Sequence, residues 1–562
     1  MELPANTPLA ARVPPRSAAT VVLLRAGVAG LELLLMRRGS TAANFSGAFV
    51  FPGGMLERSD AQPRAVRHVI GIEAAEADRR LEVSADALGY WVAVVRECYE
   101  EAGILLALDA HRQPLSTQRL ASLAPYRAAL NARQLSFLDL LEREELLIPA
   151  HQIAYMAHWI TPPTQLRRFD TRFFVAIAPA EQAAQHDNAE LVESQWLSPA
   201  AVRQRVEYEQ MNVALPTQTL VELMGQHASP ESALAQAQAM VRVPTVRPCR
   251  AEGREGPKVF RLGEAPYAEI HWTDPDETGA TTYELLADVP KRLDRYVTRI
   301  VAPNASYMTG PGTNTYLVGE RDIAVIDPGP DDPVHLRTLI EAGAGRIRWI
   351  LLTHTHPDHA PAAAALRAAT GARIAGRAGA QGAEHNISVE FDRILSEGDT
   401  VSLEGCALQT VHTPGHASNH LCYLLSPTRM LFSGDHIVQG FTVVIAPPDG
   451  NMRHYLQSLE RLMAIDPAIL APGHGYLIAN PTDEAARLIA HRLKREAKVR
   501  GAVTRAGGRA TLATLLPQVY DDVSPALYPV ATLSLQAHLE KLLADGELVH
   551  HEDQWVQLRP HH

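Results

Sequence analysis

The sequence predicts a multidomain chain of mixed α/β and α+β class, and three observations carry that expectation. With 562 residues the chain is long enough for roughly three or four domains of about 150 residues each. Two separate stretches, 17 to about 228 and about 298 to 480, alternate strand-like apolar runs with helix-like segments. From 485 onward the pattern changes to helix, helix, helix, hairpin. The composition is that of a globular protein, 46% hydrophobic and 20% charged. A net charge of -11 gives no global reason to bind a polyanion.

In chain order, Met1 to Arg16 carries prolines and arginines but no apolar core of a secretion signal. No stretch approaches the ~18 apolar residues of a membrane span. Cys98, Cys249, Cys406 and Cys422 lack disulfide or metal spacing, which suits a reducing compartment, so a cytoplasmic protein is expected. Ala19–Leu24 and Leu31–Met36 read as paired strands around a turn at Ala26 to Gly30. A helix is expected at about 88–102, then a strand at Arg172–Ile177. A further helix is expected to open with Ser198 as cap and Pro199 in its first position. Between 229 and 297, Pro244, Pro248, Gly253, Gly256, Pro257 and Gly263 interrupt any long element. That stretch reads as a linker with short strands such as Lys258–Arg261. The expected divisions are therefore 1–228, 229–297, 298–484 and 485–562.

The first candidate site lies on the 88–102 helix, in Arg96-Glu97-Cys98-Tyr99-Glu100-Glu101-Ala102-Gly103. Spacings of three and four place Glu97, Glu100 and Glu101 on one face, with Arg96 able to restrain Glu100. Clustered carboxylates suit a hard ion, Mg2+ or Mn2+, bridged to substrate phosphates. The plainer reading is a solvated acidic helix face. Together with Phe51-Pro52-Gly53-Gly54, however, the motif resembles the Nudix hydrolases, which cleave a diphosphate linked to another moiety. That resemblance implies an α/β/α fold, with Arg96, Glu97, Glu100 and Glu101 as site residues. Asp60 stands where the family has a Glu, and residues 61–95 form a far longer spacer before Arg96 than the family's usual one. The insert, Leu34-Leu35, Arg38, Gly47 and Arg168–Phe174 are similar to coenzyme A diphosphatase-type members, although Ala43 replaces a second Arg. The resemblance implies a nucleotide diphosphate or coenzyme A derivative as substrate. Asp60 also leaves open a non-catalytic sensor of such ligands.

The second candidate site begins at Thr353-His354-Thr355-His356-Pro357-Asp358-His359, after the apolar run Trp349–Leu352. Three later segments end in a ligand-type side chain beside a glycine: Thr413-Pro414-Gly415-His416, Ser433-Gly434-Asp435 and Pro472-Gly473-His474. Together they supply five imidazoles and two carboxylates, enough for two divalent ions, Zn2+ being the expected metal. His412, His420 and His436 read as structural neighbours of the ligands. The order of motifs resembles the metallo-β-lactamase superfamily and implies its αββα sandwich. On that resemblance His354, His356 and His416 hold one ion, Asp358, His359 and His474 hold the other, and Asp435 bridges. Asp327 matches that family's early strand-end Asp. Paired divalent ions acidify water and polarise a carbonyl or phosphoryl group, so hydrolysis is expected, with Asp358 as a catalytic residue.

In the tail, the apolar positions of Val530–Ala544 and a hairpin near Glu547–Leu558 outline a winged helix. It resembles the appendage of a metallo-β-lactamase branch that includes an endoribonuclease and polyketide thioesterases. Gly312–Val318 looks like that branch too. Arg492, Lys494, Arg495, Lys498, Arg500, Arg505 and Arg509 form a basic run that could contact phosphates. The expected activity is hydrolysis of small-molecule substrates, with a lean to an acyl thioester. Cleavage of single-stranded RNA guided by the basic tail is the alternative.

Overall fold

The computed structural model describes residues 13–28, 30–40, 45–187, 191–379 and 386–558. Ala29, Ala43, the first twelve residues and the His561-His562 pair lie outside them. The chain forms two compact units, Met1–Pro248 and Cys249–His562.

In the first unit, β1 (Arg16–Gly27) and β2 (Gly30–Arg38) pair antiparallel, with Leu24 opposite Leu33. Side chains on β1 alternate between two cores, as strand geometry requires. Val21 and Leu23 face the core that contains Trp91 and Val94. Val22 and Leu24 face the one that contains Val202, Leu220 and Ala233. A mixed sheet is thus buried on both faces, and β3 (Gly53–Met55) adds antiparallel to β1. The helix α1 (Leu88–Ala102) packs on one face and ends at Gly103, whose φ of +72° permits the left-handed stop. β4 (Phe169–Ile177) lies parallel to β1. The helix α2 (Pro199–Glu207) is capped by Ser198, whose side chain accepts from the Ala201 N–H. Residues 229–248 carry ordered structure of this unit. The helix Pro230–Ala239 contributes to its core, and Thr245–Val246 pairs with Ile153–Ile160.

The second unit contains two sheets packed face to face. One includes β5 (Ile323–Ile326) and β6 (Ile347–Leu351), which run parallel. The other includes β7 (Cys406–His412), β8 (Met430–Gly434) and β9 (Ile469–Pro472). Their shared core joins Ile326 and Leu351 to Phe432, Tyr423 and Ala471. Helices Pro333–Gly343 and Ala363–Thr370 cover the outer face of the first sheet. The helix α3 (Met452–Ile465) and the first turns of α4 (Pro481–Arg505) cover the second. This is the αββα sandwich.

The last part of α4, α5 (Tyr528–Ala544) and a hairpin of Leu548–His551 with Gln554–Gln557 enclose a small core of Val499, Leu515, Leu535 and Trp555. This is the winged helix. Within residues 249–297, Glu269 is fully buried and accepts two hydrogen bonds from Arg299, at 2.6 and 2.8 Å, and one from Lys291 at 2.6 Å. That segment is tied into the second unit by charge. No helix among the described residues is long and apolar enough to cross a membrane.

Candidate metal centres

In the first unit α1 presents its acidic face to the β3 turn. The Gly53 N–H donates to Glu101 at 2.8 Å. A β-carbon at Gly54 would lie 2.3 Å from a Glu97 carboxylate oxygen, so only glycine lets that carboxylate approach. Arg96 is buried and holds the array together. It donates to both oxygens of Asp60 at 3.0 and 2.9 Å, to Glu97 at 2.8 Å, to Glu100 at 3.2 Å and to the Met55 carbonyl at 2.9 Å. Asp60 reaches Arg96 across the 61–95 insert, which folds as the helices Pro63–Val66 and Ala74–Leu81 and the first turns of α1. The shorter side chain therefore still clasps the guanidinium.

Burial pushes the Glu97 carboxyl up to about 7, with Arg96 opposing and Glu100 adding to the rise. Burial raises Glu100 too, again against Arg96, and Glu57 contributes negative charge from the β3 side. Sequence reasoning did not single out Glu57. One guanidinium does not satisfy so many carboxylates, and a divalent cation would stabilise their ionised forms.

In the second unit every motif ends a strand or follows one. Two ligand groups form: His354, His356 and His416, and beside them Asp358, His359, Asp435 and His474. His416 Nε2 lies 3.1 Å from His356 Nδ1. His359 Nε2 and His474 Nε2 each lie 3.3 Å from Asp358 Oδ2. Asp435 faces both groups: Oδ1 is 3.4 and 3.3 Å from His359 and His474, and Oδ2 is 3.6 Å from His416.

The outward ring nitrogens show which lone pairs face the centre. His416 Nδ1 lies 2.8 Å from the Val444 carbonyl, and His474 Nδ1 lies 3.2 Å from the Gly312 carbonyl. A carbonyl only accepts, so both Nδ1 atoms carry the proton and both Nε2 lone pairs point inward. Thr353 Oγ1 donates to Asp327 at 2.7 Å and therefore accepts from His354 Nδ1 at 3.0 Å. Asp327 also takes the His359 Nδ1–H at 2.9 Å and the Thr353 N–H at 2.7 Å. These partners leave His354 Nε2, His359 Nε2 and Asp435 Oδ1 buried without a hydrogen bond. Such orphaned atoms are costly unless an ion takes them, so the donor set fits two divalent cations. Burial, then the neighbouring imidazoles, keeps His354 well below its ordinary pKa and hence neutral. Burial also opposes charge on His359, but Asp358, Asp435 and Asp327 outweigh it, marking where negative charge is concentrated.

Around the ligands, His420 accepts from the Asp435 N–H at 3.1 Å and bonds Thr413 Oγ1 at 2.8 Å, a bracing role. His412 lies 3.2 Å from the Ser418 carbonyl, and His436 packs on Tyr455 with ring centres 5.3 Å apart. Thr313 Oγ1 donates to Asp358 at 3.4 Å and is itself held by Asn304 at 2.9 Å. Asn304 and the backbone carbonyls carried no sequence signal, while Thr313 lies in the Gly312–Val318 stretch noted only as a resemblance. Thr353 could have been found from its place between a strand and the first ligand.

Four of the seven cations in the basic run of the tail have partners within the fold. Arg492 is only 4% exposed and donates to the Val443 carbonyl. Arg495 pairs with Asp522, Lys498 with Asp521, and Arg500 with Glu547 and Glu496. Acidic neighbours distant in sequence pair with three of these cations, while Lys494, Arg505 and Arg509 are exposed.

Comparison with known proteins agrees with this architecture. The model of the metallo-beta-lactamase superfamily matches residues 308–474. That of the NUDT19 Nudix domain matches 61–224, and that of the beta-lactamase associated winged helix domain matches 511–555. The beta-lactamase-like protein 2 homolog of Drosophila melanogaster is 31% identical over 273 residues, 46% of this chain and 91% of that protein. Thioesterase pkgB of Emericella nidulans is 31% identical over 42% of this chain and 66% of its own length. The atrochrysone carboxyl ACP thioesterase AgnL7 of Paecilomyces divaricatus is 28% identical over 42% of this chain and 75% of its own length. Through its C-terminal unit the chain belongs to the metallo-beta-lactamase superfamily of hydrolases. It carries a Nudix domain at its N-terminal side and a winged helix after the sandwich.

Proposed function

We propose that the C-terminal unit hydrolyses a thioester or related acyl bond at a two-ion site, and that the Nudix domain cleaves a diphosphate in a nucleotide or coenzyme A derivative. The observation that carries the acyl reading is the pair of similar proteins named as thioesterases, and the two converging ligand groups support hydrolysis independently of those names. His354, His356 and His416 would hold one ion, Asp358, His359 and His474 the other, and Asp435 would lie between them. Bound there, the ions would polarise the acyl carbonyl and make water acidic enough to attack at neutral pH. As ligands of bound ions the imidazoles would be neutral and add no charge, leaving the ions strongly electrophilic. Asp358 is the more open of the two carboxylates, with 26% of its side chain exposed against 13% for Asp435. Burial opposes its charge, but His359 and His474 outweigh that and hold it ionised, so it is the carboxylate placed to meet water or substrate at the site.

In the Nudix domain Glu97, Glu100 and Glu101 would hold Mg2+ or Mn2+ against the diphosphate, with Arg96 fixing their spacing. The clasp between Asp60 and Arg96 favours catalysis over a purely sensory role. Four free cysteines among the described residues support a reducing, cytoplasmic setting.

The test is one activity screen on wild type, Asp358→Ala and Glu101→Gln, using acyl-coenzyme A panels with Zn2+ and nucleotide or coenzyme A diphosphates with Mg2+. Each substitution is expected to remove one activity and spare the other. Absence of thiol release by the wild type would reject the acyl reading. Diphosphate turnover that survives Glu101→Gln unchanged would reject the carboxylate assignment.

A further inference from the structure

We propose that Arg492 is a positioning residue for the three-histidine group, through which the C-terminal helix α4 sets the orientation of His416. The proposal rests on the two-ion reading above. Arg492 lies in the middle of α4, where the helix leaves the sandwich and enters the winged helix. A buried guanidinium is costly unless it is hydrogen-bonded. Its Nη2 donates to the Val443 carbonyl at 2.6 Å. The next carbonyl along the same segment, that of Val444, accepts the His416 Nδ1–H at 2.8 Å.

Residues 440–446 belong to no strand or helix, so no sheet ladder fixes the direction of their carbonyls. Arg492 supplies a fixed point next to the peptide that orients the ligand. Its guanidinium also lies 5.4 Å from the centre of the Tyr455 ring. Tyr455 supports the same region twice. Its hydroxyl donates to the carbonyl of His436, the residue after Asp435, at 3.1 Å. Its backbone lies where a β-carbon on Gly415 would be, 2.4 Å from the Tyr455 Cα, so the turn carrying His416 rests directly on α3. A residue that reads in sequence as a phosphate contact thus acts from behind the metal centre, and the appended helix forms part of the site's support.

The test uses the full-length chain loaded with Zn2+ and titrated with a competing chelator, with metal per chain and melting temperature measured for wild type, Arg492→Met and Arg495→Met. Arg495 lies on the same helix and pairs with Asp522, so its variant reports on loosening of the appendage alone. Arg492→Met is expected to weaken the retention of one ion by ~10–100-fold, the usual effect of losing a partner that orients a ligand. The other ion should be retained, and Arg495→Met should follow wild type. Wild-type retention of both ions by Arg492→Met, or equal loss in Arg495→Met, overturns the proposal. A wild type that binds fewer than two ions defeats the two-ion reading itself, and the proposal with it. Should Arg492→Met fail to fold, Arg492→Gln, whose shorter side chain withdraws the donor from the Val443 carbonyl, decides. Weaker metal retention at an unchanged melting temperature supports the role, and wild-type retention rejects it.

Discussion

In the Nudix domain, three carboxylates crowd one face of a single helix; a buried guanidinium holds Glu97 and Glu100 against their mutual repulsion, and the Gly53 N–H holds Glu101. In the metallo-beta-lactamase unit, side chains from 354 to 474 converge from the ends of two sheets, and hydrogen-bond acceptors orient their imidazoles. The first site has an excess of negative charge arranged locally. The second combines imidazoles with two carboxylates, Asp358 and Asp435, arranged over long range. The two should therefore fail differently: the first through charge balance, the second through geometry.

The largest effect is expected at the residue the second site shares between its halves. Asp435→Ala should reduce thioester hydrolysis to background and lower the Zn2+ content, because both ligand groups lose the carboxylate that faces them. Diphosphate turnover measured on the same preparation should not change. A parallel loss of both activities would break the distinction between the sites.

Charge balance in the first site is tested by Arg96→Met. Removing one partner from a buried ionic cluster costs about 3–5 kcal/mol, read as a loss of Nudix-domain stability in urea while the second transition stays in place. The same physics sets a pH dependence. Burial first, with Glu100 adding and Arg96 opposing, raises the Glu97 carboxyl from its ordinary 4.5 to about 7. Between those values the folded state binds more protons than the unfolded one, so stability falls as pH rises from about 4.5 through 7. Mg2+ should offset that fall by stabilising the ionised array. A metal-free protein whose stability does not change over this range would contradict the charge-balance account.

Geometry in the second site is tested by Asp327→Asn, which keeps the size of the side chain but changes what His359 and Thr353 meet. Loss of such an orienting partner is expected to cost about 10–100-fold in metal affinity, measured by chelator competition. Asp327 sits at the end of β5 with a φ of +49°, so its backbone is already bent to aim the carboxylate behind the ligands.

The two sites also differ in how much of them was legible. Residues three and four apart on a helix meet by geometry alone, so Glu97, Glu100, Glu101 and Arg96 could be placed together from sequence. The strand-end motifs of the second site could be recognised one by one, but their convergence came from resemblance, because no local rule brings residue 354 to 474. The β1–β2 hairpin and the 88–102 helix follow from apolar periodicity, whereas the sandwich came, like the convergence, from resemblance. The helix Pro230–Ala239 was hidden by the prolines and glycines that follow it. The carbonyls of Gly312 and Val444 left no trace, because a backbone acceptor has no side-chain signature. The tail shows the reverse failure. A run of cations is visible in sequence, whereas Asp521, Asp522 and Glu547, which pair with Lys498, Arg495 and Arg500, arrive only with the fold.

That last contrast yields the smallest expected effect. Lys498 is 32% exposed and pairs with Asp521, which is 61% exposed. An ion pair this open to solvent contributes about 0–1 kcal/mol, so Lys498→Ala should barely move the melting temperature. If the tail guided RNA, the same substitution would weaken RNA binding and reduce its dependence on salt, because every cation withdrawn from a phosphate takes its share of counterion release with it. If Lys498 instead serves only its pair with Asp521, binding of a single-stranded RNA should be equally weak, at every salt concentration, in wild type and variant. A salt-sensitive complex weakened by Lys498→Ala would restore the tail as a nucleic-acid surface.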